Sequence, residues 1–88
     1  MSALSIKNAG DVYQFVDDLK TEAKRSDMNQ LADQLENALL LGSSALEILG
    51  AVRQAVVDNH NNIERLLGPD GKDRAEGVIA FVDRAFGR

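Results

Sequence analysis

The composition of this chain is that of a small acidic protein with an ordinary globular core. Its 88 residues carry a net charge of −4 and are 44% hydrophobic, which argues against intrinsic disorder and against a general binder of nucleic-acid phosphates. It contains no cysteine, so neither a disulfide nor a thiolate metal site can hold the fold together. Without an export signal or an apolar run long enough to cross a membrane, we expect a cytoplasmic protein that binds no membrane.

The first predicted helix covers residues 9–25. Asn8 is the expected N-cap, and Asp11 lies in the first turn, where a carboxylate is favourable. The basic residues Lys24 and Arg25 suit the last turn. The apolar positions recur at helical spacing and form one stripe. They are Val12, Phe15, Val16, Leu19 and Ala23.

The second predicted helix covers residues 27–41, with Ser26 as its expected cap. Gly42 is expected to end it as a left-handed residue. Because the connection to the first helix is very short, the two helices should form an antiparallel hairpin or a sharp corner. The apolar face consists of Met28, Leu31, Ala32, Leu35, Ala38 and Leu39.

The third predicted helix begins with a capping signature, because Ser44 is followed three residues later by Glu47. The segment that follows is apolar almost all the way round. Such a helix is expected to be buried, so we predict that it is the central helix of the bundle.

The length of this third helix depends on the polar run at residues 58–62. Ile63, Leu66 and Leu67 continue the apolar phase that begins at Ala45, and a loop would have no reason to preserve that phase. We therefore predict one long helix over residues 44–67. The alternative breaks it near residues 59–61 and starts a short helix at residue 62.

The last predicted helix covers residues 72–86, after a turn at residues 68–71 that contains Gly68 and Pro69. The four helices together predict an all-α fold, a single small domain over residues 1–88 with a long apolar third helix. The apolar face of the last helix consists of Ala75, Val78, Ile79, Val82, Ala85 and Phe86.

The sequence offers little that indicates catalysis. His60 is the only histidine, and its polar neighbours are expected to be the solvated side of a helix rather than a site. The chain has no Glu-x-x-His pair, no calcium-loop spacing and no P-loop or dinucleotide fingerprint. We therefore expect a non-enzymatic protein without a metal or a cofactor.

A second line of residues on the third helix is the best candidate for a functional surface. Leu46, Gly50, Arg53 and Val57 are spaced by four, three and four, and they point away from the main apolar face. Glycine costs about 1 kcal/mol relative to alanine inside a helix. Close approach by another helix would account for Gly50 despite that cost.

The last helix has a similar pair outside its main stripe, Gly77 and Phe81. These two sets of residues either cover the core of the four-helix fold or form a homodimer interface in which Arg53 pairs with a carboxylate. We predict a protein-protein interaction or regulatory protein that acts as a homodimer. The expected interface residues are Leu46, Gly50, Arg53, Val57 and Phe81.

One alternative follows from the segment LGSSALE at residues 41–47, which resembles the attachment region of acyl and peptidyl carrier proteins. Those acidic helical domains carry phosphopantetheine on a serine in an Asp-Ser-Leu motif at the start of a helix. The resemblance implies a carrier protein modified at Ser44. Ser43 stands where the motif has Asp, and Ala45 stands where it has Leu.

Another alternative is an acidic immunity or antitoxin-type protein that covers the basic site of a partner. A helix-turn-helix reading would use residues 44–57 as the recognition helix. Such a helix needs polar or basic residues that reach base edges. This segment is mostly apolar and the chain is acidic, so we expect no nucleic-acid partner.

Overall fold

The computed structural model describes residues 6–42 and 44–87 of the chain. Within these ranges the chain forms α-helices and no strand. The helices are α1 over Ala9–Arg25, α2 over Asn29–Leu41, α3 over Ala45–Asp58 and α4 over His60–Ala85. The predicted all-α four-helix fold class is therefore confirmed.

Helix α1 begins and ends where the sequence predicts. The Asn8 side chain accepts a hydrogen bond from the backbone N–H of Asp11 at 2.9 Å, and the Asp11 carboxylate accepts from the backbone N–H of Lys7 at 2.8 Å. The whole predicted apolar stripe is buried. An N-cap of this kind stabilises a helix by about 1 kcal/mol, so local sequence is sufficient to fix this boundary.

The junction between α1 and α2 corrects the prediction that Ser26 caps the second helix. Ser26 is the C-cap of α1, and Asp27 follows it in the left-handed region with φ 61°. The backbone N–H of Met28 donates to the carbonyl of Ala23 at 2.7 Å, which is the outer bond of a Schellman motif. Because these residues close α1, the second helix begins at Asn29 and not at residue 27.

The end of α2 corrects the expected role of Gly42. Its φ of −77° and ψ of 138° are extended, not left-handed. A Cβ at this position would lie 2.6 Å from Cγ1 of Ile48, so glycine is needed for close packing rather than for its backbone conformation. The predicted cap of the third helix is confirmed, since Ser44 Oγ accepts from the backbone N–H of Glu47 at 3.2 Å.

The predicted continuous helix over residues 44–67 is wrong, because the chain leaves helical geometry at Asn59 (φ −118°, ψ 23°). The Asn59 side-chain amide donates to the carbonyl of Ala55 at 2.8 Å and to Oε1 of Gln34 at 2.9 Å. A side chain that bonds to its own helix competes with the helical backbone. Ile63 is nevertheless fully buried, so the apolar phase continues across the break.

Two segments of α4 meet at Gly68, where one non-helical residue replaces the predicted turn over residues 68–71. Gly68 has φ 75° and ψ −166°, a conformation that is essentially restricted to glycine. Pro69 follows at the first helical position, which tolerates its missing N–H. The last helical segment therefore starts at Pro69 instead of residue 72, and a Cβ on buried Gly71 would overlap the Leu67 side chain.

The helices form an up-and-down bundle in which each helix packs on the next and α4 closes against α1. Arg53 contacts Asp83, and Gly50 faces Phe86, so α3 and the end of α4 run antiparallel. The core lies between the four helices. Its largest fully buried side chains are Phe15, Leu19, Leu35, Ile63, Val12, Val16, Val52, Val56, Val78 and Val82.

The expected central position of the third helix is not confirmed. Helix α3 packs mainly on α2 and α4 and has a face in solvent. Leu46 and Val57 on that face are 50% and 43% exposed. The core residues of α3 form one stripe, made of Leu49, Val52, Ala55 and Val56.

Polar and apolar contacts join α4 to the N-terminal part of the chain. The guanidinium of Arg74 contacts the Asp18 carboxylate at 2.9 Å and lies 5.0 Å from the centroid of the Phe15 ring. Ile6, just before α1, packs where Gly77 leaves room, since a Cβ on Gly77 would lie 2.9 Å from Cγ1 of Ile6. This contact explains why the last helix carries a glycine outside its main stripe.

Candidate interaction surface

Four of the five predicted interface residues lie along one side of α3. We call Leu46, Gly50, Arg53 and Val57 the α3 line. The two apolar side chains are exposed, while Gly50 and Arg53 between them are partly buried. The line therefore consists of an apolar residue near each end of the helix and a covered centre.

The residue that covers the centre of the α3 line is Phe86, just after α4. A Cβ on Gly50 would lie 3.3 Å from Cζ of Phe86, so the close approach expected at Gly50 occurs within the chain. A groove of about 540 Å³ lies at this contact. We call it the Phe86 groove, and it is lined by Leu46, Glu47, Gly50, Ala85 and Phe86.

Sequence reasoning assigned Phe86 and Ala85 to the core stripe of the last helix, and the structure exposes both. Phe86 is 39% exposed. Ala85 is the last residue of α4 and Phe86 is its C-cap, so helical periodicity specifies their direction less firmly than that of the residues before them. Their exposure adds apolar surface to the end of α4 beside the α3 line.

The carboxylate expected opposite Arg53 is Asp83 of the same chain. Arg53 Nε donates to Asp83 Oδ1 at 2.7 Å, and Nη2 donates to Oδ2 at 3.4 Å. Both side chains are 30% exposed. The charge in the middle of the α3 line is thus balanced before any partner binds, and the line presents apolar side chains on either side of a closed ion pair.

Phe81, the fifth predicted interface residue, lies in a separate groove of about 500 Å³. We call it the Phe81 groove, and it is lined by Ile6, Lys7, Phe81, Arg84 and Ala85. Ala85 lines both grooves, so they adjoin at the last turn of α4. Sequence reasoning did not include Ile6 or Lys7, because nothing local indicates which helix the residues before α1 contact.

The residues considered for chemistry do not converge on a site. Ser44 acts as the cap of α3, and the carrier-like segment at residues 41–47 begins at the last residue of helix α2. Ser43 lies outside the described residues. His60 begins α4 and is partly buried. Among residues 6–42 and 44–87, no three acidic or histidine side chains are grouped closely enough to hold a metal ion.

Among the described residues, no helix is both long enough and apolar enough to span a bilayer.

Comparison with known proteins identifies no relative of this chain. No protein family, no curated protein and no solved structure matches this chain.

Proposed function

We propose that this chain is a non-enzymatic protein-protein interaction protein that forms a homodimer through the α3 line and the adjoining Phe86 groove. The observation that supports it is the grouping of Leu46, Gly50 and Phe86 around one groove. Leu46 is 50% exposed and Phe86 is 39% exposed, so apolar side chains that line the groove face solvent. We also propose a cytoplasmic location, with which the absence of cysteine is compatible.

A second copy of the chain is a fitting occupant because one apolar patch can contact its own equivalent across a twofold axis. Leu46 and Phe86 both line the groove and are both exposed. In a twofold dimer each copy supplies the same apolar side chains, so the interface is isologous. The closed pair of Arg53 and Asp83 then lies beside the contact without an unpaired charge to desolvate.

The size of the core adds a thermodynamic reason. A domain of this length buries a smaller fraction of its apolar surface than a larger one, and its core contributes only a few kcal/mol of net stability. Covering Leu46, Val57 and Phe86 against a second copy would bury apolar side chains that folding leaves in water.

Sedimentation velocity over a range of concentrations tests the dimer. We expect the unmodified chain to sediment as a dimer, and Leu46→Glu to sediment as a monomer because a carboxylate would be desolvated in the contact. Tyr13→Glu is the matched control, since Tyr13 is also exposed but lies on α1. It should leave the dimer intact, and circular dichroism should show an unchanged helical fold for both variants.

A chain that remains monomeric up to the millimolar concentrations used for NMR would overturn the proposal. So would a dimer that Leu46→Glu leaves intact while Tyr13→Glu dissociates it. Val57→Glu extends the test to the other end of the α3 line, and it should weaken the dimer without changing the thermal melting of the monomer.

A further inference from the structure

The Phe81 groove differs from the Phe86 groove in the charge of its rim. Its floor is apolar, formed by Ile6, which is 9% exposed, and by partly buried Phe81. Its rim carries two exposed cationic side chains, Lys7 and Arg84. An apolar floor surrounded by a polar rim is the arrangement found at the energetic centre of protein interfaces.

The two rim cations have no ion-pair partner among the described residues. Arg53 and Arg74 each contact a carboxylate at 2.9 Å or less, whereas Lys7 and Arg84 contact none within residues 6–42 and 44–87. Asp11 accepts from the backbone N–H of Lys7, which fixes that residue at the rim. In a chain of net charge −4, two cations on one groove form a local exception to the overall charge.

We propose that the Phe81 groove binds an acidic segment of a partner protein, with an apolar side chain on Phe81 and Ile6 and a carboxylate between Lys7 and Arg84. This inference rests on the proposed interaction function and gives the chemistry of the partner. Complementary charge at a rim accelerates association and selects among partners, while the apolar anchor supplies most of the affinity.

The test uses the full chain, labelled with nitrogen-15, and three synthetic peptides of one pattern. The acidic peptide is Ac-EEALFEALEE-NH2, and the other two carry glutamine or lysine in place of every glutamate. We expect the acidic peptide to shift the backbone amide signals of residues 6–7 and 81–85. It should bind at least about tenfold more tightly than the glutamine peptide, and added salt should reduce that difference.

Two double variants distinguish binding in the Phe81 groove from a general effect of the charge of the protein. Lys7→Gln with Arg84→Gln should remove the preference for the acidic peptide. Lys24→Gln with Arg65→Gln is the matched control, because it also removes one lysine and one arginine that are exposed and have no ion-pair partner among the described residues. The control should retain the preference.

Several results would overturn the inference: no binding of the acidic peptide at millimolar concentration, equal binding of the acidic and glutamine peptides, or equal losses in the two double variants. Signals that move around Leu46 and Gly50 instead would assign the peptide to the Phe86 groove. A peptide that dissociates the dimer would show that a second copy occupies the Phe81 groove. Sedimentation of the same samples distinguishes the two proposals, since peptide binding by a monomer contradicts only the dimer.

Discussion

The guanidinium of Arg53 on α3 and the carboxylate of Asp83 on α4 form a two-bond ion pair, with N···O distances of 2.7 and 3.4 Å. The pair joins the middle of α3 to the last part of α4, next to the point where Phe86 covers Gly50. It therefore bridges the two helices that together form the Phe86 groove.

A double-mutant cycle with Arg53→Ala and Asp83→Ala measures this pair. We expect a coupling energy of about 0.5–1 kcal/mol in urea unfolding, because a partly exposed pair is weakened by solvent. The matched cycle uses Arg25 and Glu22, which lie 3.1 Å apart on α1 with Arg25 71% exposed. A larger coupling for that exposed pair would contradict the role given to Arg53.

Asn59→Ala is expected to destabilise the protein by about 1–2 kcal/mol, since it removes hydrogen bonds to both Ala55 and Gln34. Asn61→Ala, at an exposed position two residues later, should change the free energy of unfolding by less than about 0.5 kcal/mol. Urea denaturation measures both. If Asn59→Ala were the more stable protein, helical propensity would outweigh the side-chain bonds and the break between α3 and α4 would need another cause.

Asp27→Gly is expected to stabilise the protein by about 0.5–1 kcal/mol, because glycine adopts positive φ without the steric cost that Asp27 bears at φ 61°. Asp33→Gly, in an exposed position inside α2, makes the same chemical change where φ is helical and should destabilise by about 0.5–1 kcal/mol. Thermal unfolding followed by circular dichroism should show a higher melting temperature for Asp27→Gly and a lower one for Asp33→Gly. A loss of stability in both variants would mean that the Asp27 side chain contributes more than its backbone strain costs.

Gly68→Ala is expected to destabilise the protein by about 1–3 kcal/mol through backbone strain alone. An added Cβ would meet no side chain or remote backbone atom within 4 Å, so lack of space is not the reason. D-alanine at the same position, introduced by chemical synthesis, accommodates positive φ and should restore most of the stability. Equal losses for the two alanine enantiomers would contradict this explanation.

The sequence by itself determined the features that depend on neighbouring residues. The cap at Asn8, the stripe of α1 and the cap at Ser44 were predicted because each needs only residues within one or two turns. The all-α class followed from the same local periodicity. The interruption at Gly68 and Pro69 was also local, although the length of the turn there was not.

The tertiary structure alone decided where α3 ends and what its second line contacts. The apolar phase through Ile63 is the same for one helix or two, and the bond from Asn59 to Gln34 joins residues 25 positions apart. In the same way, Gly50 indicated a close approach, but only the fold shows that Phe86 makes it and that Asp83 neutralises Arg53. Periodicity specifies which face of a helix is apolar; packing between distant segments specifies what covers that face and what remains exposed for a partner.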